Sequence, residues 1–176
     1  TGIAVKTLVE YPGQTFTERF FESFSYERFR GEYFGLGRVF FFVQTPATVV
    51  ASSPLFGVGP GQYGGGAAAA LGRSIKYEEL GLPFGVFGTE GFIDNNWFSL
   101  WGETGTLGLL FYLGLFWALL RTALRVYRHG PESWQKGFAL GFIGVLVAVS
   151  FQALLGTYLE VRTLALYFWL YAAFIV

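Results

Sequence analysis

The chain predicts an all-α fold, a polytopic helical membrane protein fragment with a large irregular and helical loop on its extracytoplasmic side. Three observations carry this expectation. Of 176 residues, 53% are hydrophobic, 20% aromatic and only 14% charged, and mean hydropathy is positive, outside the usual range of a soluble domain. Uncharged runs of sixteen and twenty residues recur in the C-terminal part, close to the ~20 needed to cross the hydrocarbon core. The cations between those runs are unevenly distributed, which sets an orientation.

Residues 1–103 form the predicted extracytoplasmic region. They carry seven Lys or Arg against ten Asp or Glu, and a segment this long is more than a connector. Arg19, Arg28 and Arg30 lie among Glu18, Glu22, Glu27 and Glu32, the spacing of solvated ion pairs on a helix surface. The uncharged stretch Val39 to Ser53 predicts a helix lying against the membrane surface, either kinked at Pro46 or beginning at Thr45 as its N-cap. Pro54 to Ala70 and Gly81 to Gly91 are broken repeatedly by glycine and proline and are expected to be non-helical.

The membrane region is expected over 104–176. Its spans are 104–120, 137–156 and 163–176, the last cut short by the chain end. Between the first two, 121–136 holds Arg121, Arg125, Arg128 and Lys136 against Glu132, so this turn is assigned to the cytoplasmic side and 1–103 to the opposite one. The turn 157–162, with Glu160 and Arg162, returns to the outer face. The chain starts at Thr1, contains no methionine and stops inside an apolar run at Val176. It reads as an internal fragment.

Several chemistries are disfavoured. Without cysteine and with His129 as the single histidine, neither a thiolate nor a histidine metal centre is expected, and no metal or other cofactor is assigned. His129 lies in the basic turn beside Gly130-Pro131, where no catalytic part is expected. No nucleic-acid partner is indicated. Gly57-Val58-Gly59-Pro60-Gly61 is superficially like a phosphate-cradling loop, but no strand precedes it and no Gly-Lys-Ser/Thr follows. It is read as a tight turn for close packing, or as a loop shaping a glycan site.

Polar groups concentrate at the junction Asp94-Asn95-Asn96-Trp97-Phe98-Ser99-Leu100-Trp101-Gly102-Glu103-Thr104, directly before the first span. Asp94, the single aspartate, suits a general base toward a sugar hydroxyl, and equally a helix cap with Asn95 and Asn96 as turn formers. Nine residues on, Glu103 falls half a turn out of phase with it on an ideal helix and is read as a charge complementing the dipole of the first span. Trp97 and Trp101 share a face, as an interfacial belt or a stacking platform for sugars. Arg38 heads the most apolar stretch of the outer region, where it either snorkels to the headgroups or clamps a phosphate through its planar fork.

Taken in order, Gly37-Arg38, then Pro54-Leu55-Phe56-Gly57-Val58-Gly59-Pro60-Gly61-Gln62-Tyr63, then Asp94-Asn95-Asn96-Trp97-Phe98 with Glu103-Thr104-Gly105 and Gly108-Leu109-Leu110, the chain resembles the C-terminal region of the O-antigen ligase and polysaccharide polymerase family over about residues 16 to 155. The resemblance implies a multi-pass protein of the inner (cytoplasmic) membrane, working in the bilayer without metal or nucleotide sugar. It would transfer glycan from an undecaprenyl-diphosphate-linked donor to a hydroxyl of an acceptor glycan or glycolipid, in lipopolysaccharide or other cell-envelope polysaccharide synthesis. By the same resemblance Arg38 binds the diphosphate and stabilises the leaving group, and Asp94 stands where the ligases usually carry histidine, which tilts the reading toward a polymerase or a ligase-like protein acting on another acceptor. Gly57, Gly59, Gly61, Tyr63, Asn95 and Trp97 would border the substrate path. The rival expectation is a transporter or flippase for a lipid-linked oligosaccharide. Against it, the complete spans hold only Ser150 and Gln152 as clearly polar side chains, where transport pathways bury ionisable groups.

Overall fold

The computed structural model describes residues 38–65, 68, 70–72, 74–82, 84, 95–160 and 162–175, together with Thr15 and Thr17. The arginine and glutamate pairs expected around Arg19, Arg28 and Arg30 lie outside these residues, as does 85–94. Among the described residues the elements are helical. In chain order they are α1 (Arg38–Gln44), running on into a π-helical turn (Thr45–Val50), the short α2 (Ile75–Glu79), the long α3 (Asn96–His129), α4 (Ser133–Gln152), a 3-10 turn (Tyr158–Glu160) and α5 (Arg162–Ile175).

The stretch expected to be helical over 39–53 forms a helix, and Pro46 neither breaks nor starts it. Proline lacks the N–H for the helical ladder and its ring crowds the carbonyl four residues back. Widening the turn from Thr45 to Val50 into a π-helix accommodates both. Thr45 is therefore not an N-cap. The residue before it is already helical, at φ −75°, and makes no side-chain cap bond. The Thr45 hydroxyl is buried and lies 2.7 Å from the phenol oxygen of Tyr63.

α3 begins where the sequence offers a cap, one residue later than Asp94. Asn95 is extended (φ −160°, ψ 110°) and its Oδ1 accepts the N–H of Phe98 at 3.0 Å, a cap worth about 1 kcal/mol. Its Nδ2 donates to the Leu154 carbonyl at 2.9 Å. The Asn96 N–H donates to the Ala153 carbonyl at 2.8 Å, and the Trp97 indole N–H to the Ser150 carbonyl at 2.9 Å. These three cross-links bind the start of α3 to the end of α4. The hairpin closes at its other end through Gly130 to Glu132, where Glu132 and Gln135 form a reciprocal capping box at the start of α4.

The basic turn is much shorter than expected. Helix α3 continues through Arg121, Arg125 and Arg128 as far as His129, because arginine and leucine are good helix formers and nothing before Gly130-Pro131 stops the helix. Correspondingly α4 starts at Ser133 and ends at Gln152, before the 156 expected. Packing against this hairpin, α5 completes a core of Phe116, Leu119, Ala123, Ala139, Phe142, Leu146, Val149, Phe168, Ala172 and Ile175. The Phe116 and Phe168 rings stack at 5.5 Å. A second, smaller core of Phe41, Val49, Tyr63 and Tyr77 lies between α1, the glycine-rich loop and α2.

α3 and α4 are long and apolar enough to cross a membrane, and only 17% and 22% of their most apolar windows are buried. Leu110, Phe111, Trp117, Val147 and Phe151 point outward.

Helix α3 is interrupted. Gly105 has φ 67° and ψ −171°, a region that in practice belongs to glycine. The break leaves backbone groups without helical partners on both sides, and the Pro54–Gly59 loop supplies them. The Val58 and Gly59 N–H groups donate to the Gly102 and Glu103 carbonyls, each at 2.9 Å. In the other direction the Thr106 and Leu107 N–H groups donate to the Pro54 and Leu55 carbonyls at 2.9 and 3.2 Å. A Cβ on Gly105 would overlap the Leu55 carbonyl and the Gly57 nitrogen. Gly105→Ala is therefore expected to cost at least the ~1–3 kcal/mol of a forced backbone conformation, read as a lowered thermal unfolding midpoint in detergent. Gly114→Ala, on the same helix with open space around the new methyl, should leave that midpoint unchanged or raise it slightly.

Candidate functional site

The glycine-rich loop and the broken helix build one corner. Gly57, Gly59, Gly61 and Gly64 take φ of +70°, +105°, +71° and +68°, values that let the chain reverse repeatedly within eight residues. At Gly57 absence of a side chain is also demanded by space, since a Cβ there would meet the Gly102 and Glu103 backbone. Gly102 in turn leaves room for the Tyr63 ring, which a Cβ would penetrate. Tyr63 is only 1% exposed. It stacks on Tyr77 at 5.5 Å, while the Tyr77 hydroxyl accepts the Gly64 N–H at 2.7 Å. Burial pushes both phenols well above the ordinary tyrosine range, against the opposing hydrogen bonds from Thr45 and Gly64. They are neutral structural pegs at any physiological pH.

What this framework presents is a pair of carboxylates. The Glu103 Oε1 accepts the Tyr63 N–H at 3.3 Å, and the Gly61 N–H also reaches this carboxylate. Glu160, from the 3-10 turn, approaches from the other side. Carboxylate oxygens of both residues lie 3.3 Å from where a Cβ on Gly65 would sit, so both reach the same small space. Ser99, one turn before Glu103 on α3, places its hydroxyl 3.4 Å from Glu160 Oε1 and 3.5 Å from the Tyr63 carbonyl. Burial raises the Glu103 carboxyl above its ordinary value, the Gly61 and Tyr63 amides pull it back, and the Glu160 charge raises it further. Such a group can hold or accept a proton closer to neutrality than a solvated glutamate. Among the described residues no group of three or more His, Cys, Asp or Glu could hold a metal ion.

The predicted site residues are distributed unevenly around this corner. Gly57, Gly59 and Gly61 form the loop that repairs α3 and holds Glu103. Tyr63 is buried in the small core beneath it. Asn95 is fully buried, with both ends of its amide engaged in the cap and the α4 cross-link. Trp97 faces the helical bundle, packing edge-on against Tyr112 and Phe116 at 6.0 and 5.5 Å. The structural duties of Tyr63, Asn95 and Trp97 account for their residue types. Asp94 and the side chain of Arg38 lie outside the described residues. The helix that Arg38 opens does meet the start of α3, with the Phe42 and Phe98 rings 5.0 Å apart.

The carboxylate pair escaped the sequence reading. Glu103 was expected to serve the dipole of the first span. It does precede the second segment of α3, but its carboxylate is held by loop amides. The four-residue step from Ser99 to Glu103 marks one helix face in the sequence, whereas nothing local brings Glu160 to it.

The raised Glu103 carboxyl has a consequence for stability. Its folded-state value exceeds the unfolded one, so its contribution is fully present below the ordinary carboxylate value of 4.5 and is lost as pH rises through the raised folded value. The unfolding midpoint should accordingly fall as pH increases across that window. Glu103→Gln should flatten this part of a thermal-unfolding profile, and Glu160→Gln should shift it to lower pH by removing a like charge. No protein-family model, curated protein or solved structure matches the chain.

Proposed function

We propose that the chain belongs to a membrane glycosyltransferase that transfers or polymerises glycan from an undecaprenyl-diphosphate-linked donor onto a sugar hydroxyl, on the non-cytoplasmic side of the inner membrane. The observation that carries this reading is the convergence of the three segments on which the family resemblance rests. Phe42, four residues after Arg38, packs on Phe98, four residues after Asp94. The Pro54–Tyr63 loop is hydrogen bonded to the Gly102–Leu107 backbone. Pieces that are weak motifs singly thus meet at one corner, next to two helices apolar enough to cross a bilayer.

In this mechanism Arg38 grips the diphosphate through its guanidinium fork. Asp94 takes the proton of the attacking hydroxyl as its oxygen bonds to the anomeric carbon, while the bond from that carbon to the phosphate oxygen breaks and leaves the lipid diphosphate. Negative charge on the diphosphate grows as that bond breaks, so the arginine acts mainly on the transition state. Displacement from the opposite face inverts the anomeric centre. Glu103 offers a second carboxylate near the path, with its proton affinity raised by burial.

A second reading, a transporter for a lipid-linked oligosaccharide, gains from the interruption at Gly105, since transporters commonly break their helices at substrate sites. Here, however, the break lies near the start of α3 and loop backbone occupies its hydrogen-bonding groups.

In the full-length protein, Arg38→Ala and Asp94→Asn should each lower glycan transfer by about 10²-fold or more, and Arg38→Lys should recover only part of the loss. Near wild-type rates in membrane-inserted variants would refute the mechanism. Deleting the gene separates the functions. Single repeats without a long-chain ladder identify a polymerase, long chains left on the carrier a ligase, and repeats retained on the cytoplasmic face a flippase.

A further inference from the structure

At the opposite end of the bundle, α3, α4 and α5 line an open hollow of about 380 Å³ with two kinds of wall. Arg125 and His129 form its polar edge, four residues apart and therefore neighbours on α3. Phe138 and Phe174, whose rings meet edge-on at 6.3 Å, form its apolar side with Ile175, and Trp134 stands at the mouth. Trp134 is 69% and Phe174 72% exposed. Arg121, Arg128 and Lys136 surround this end, and the Glu132 carboxylate opposing them is turned to the Gln135 N–H in the capping box. An anion is favoured on the edge, while the aromatic side gains only from an apolar group.

We infer that this hollow seats an anionic phospholipid, with its phosphate on Arg125 and His129 and its proximal acyl carbons on Phe138 and Phe174. A soluble phosphate would engage Arg125 and His129 and leave the aromatic wall in water. A neutral hydrocarbon would do the reverse. An anionic amphiphile satisfies both, and the hollow lies where the apolar stretches of α3 and α4 give way to charge, the depth of lipid headgroups for helices that cross a bilayer. The guanidinium fork of Arg125 is suited to two phosphate oxygens at once, beyond a general attraction of the basic end.

The test uses the full-length protein in phosphatidylcholine nanodiscs with and without phosphatidylglycerol. Lipid retention is read by native mass spectrometry, and Trp134 contact by quenching with brominated phosphatidylglycerol, compared with a Trp134→Phe variant. Phosphatidylglycerol should be retained in preference to phosphatidylcholine, and Arg125→Gln with His129→Gln should weaken retention by about tenfold or more, the loss of at least one charge-assisted bond. Arg128→Gln, on the same helix but outside the hollow, should change it by less than about twofold. Arg125→Lys should fall between, and its helical content by circular dichroism establishes that the fold survives the change. Equal losses for Arg125→Gln and Arg128→Gln would mean a diffuse charge effect and overturn the site. Equal retention of phosphatidylcholine, or full displacement by inorganic phosphate, would overturn the assignment of an anionic lipid.

Discussion

An α-helix interrupted near an apolar environment leaves carbonyls and amides that water does not solvate, and each buried group left unpaired costs about 1–3 kcal/mol. At Gly105 four such groups are satisfied by one short loop, two accepting and two donating. That exchange dictates much of the rest. The loop must approach the helix backbone closely, which requires glycine at positions 57 and 105. It must also turn back repeatedly, which requires the positive φ values that follow. Segments nearly fifty residues apart in the chain thus depend on one another: without the loop the break in α3 is uncompensated, and without the break the loop has no partners.

The same repair fixes the chemistry available at the corner. An unbroken α3 would bury the Gly102 and Glu103 carbonyls in its own ladder and give the loop nothing to dock on. With the loop docked, the amides of Gly61 and Tyr63 face the Glu103 carboxylate, and the buried Tyr63 and Tyr77 hold that loop against α1 and α2. Glu160 arrives through the second constraint, the bonding of Asn95, Asn96 and Trp97 to the end of α4. This draws the turn after α4 alongside α3. The two carboxylates come together as a by-product of how two helix ends are tied.

The two ends of the bundle differ physically. One is rich in glycine and built from backbone hydrogen bonds, with the Glu103 and Glu160 carboxylates at its corner. The other is a short hairpin between two helices, ringed by arginine and closed by a capping box. Between them the packed aromatic residues of α3, α4 and α5 form a continuous core while the outer faces of α3 and α4 remain apolar and uncovered. This polarity of the molecule follows from where charge is absent in the sequence. Its particular sites follow from which chain ends are tied together.

Composition and local pattern determined the helical class, the three apolar helices, a helix across Pro46 and the non-helical loop over 54–65, though not the helical residues Ala68 and Ala70 that follow it, because hydrophobic runs and backbone-restricted residues act over a few turns of chain. The cap at the start of α3 was equally local, although Asn95 and not Asp94 performs it. The break at Gly105 was not legible, since glycine is frequent in apolar helices and whether it departs from helical geometry depends on partners for the released backbone groups. For the same reason neither the bracing of Trp97 against α4 nor the pairing of Glu103 with Glu160 was legible. These assignments rest on hydrogen bonds and contacts between residues forty to sixty positions apart, and only tertiary structure decides them, because such bonds form only when folding brings both partners within about 3 Å.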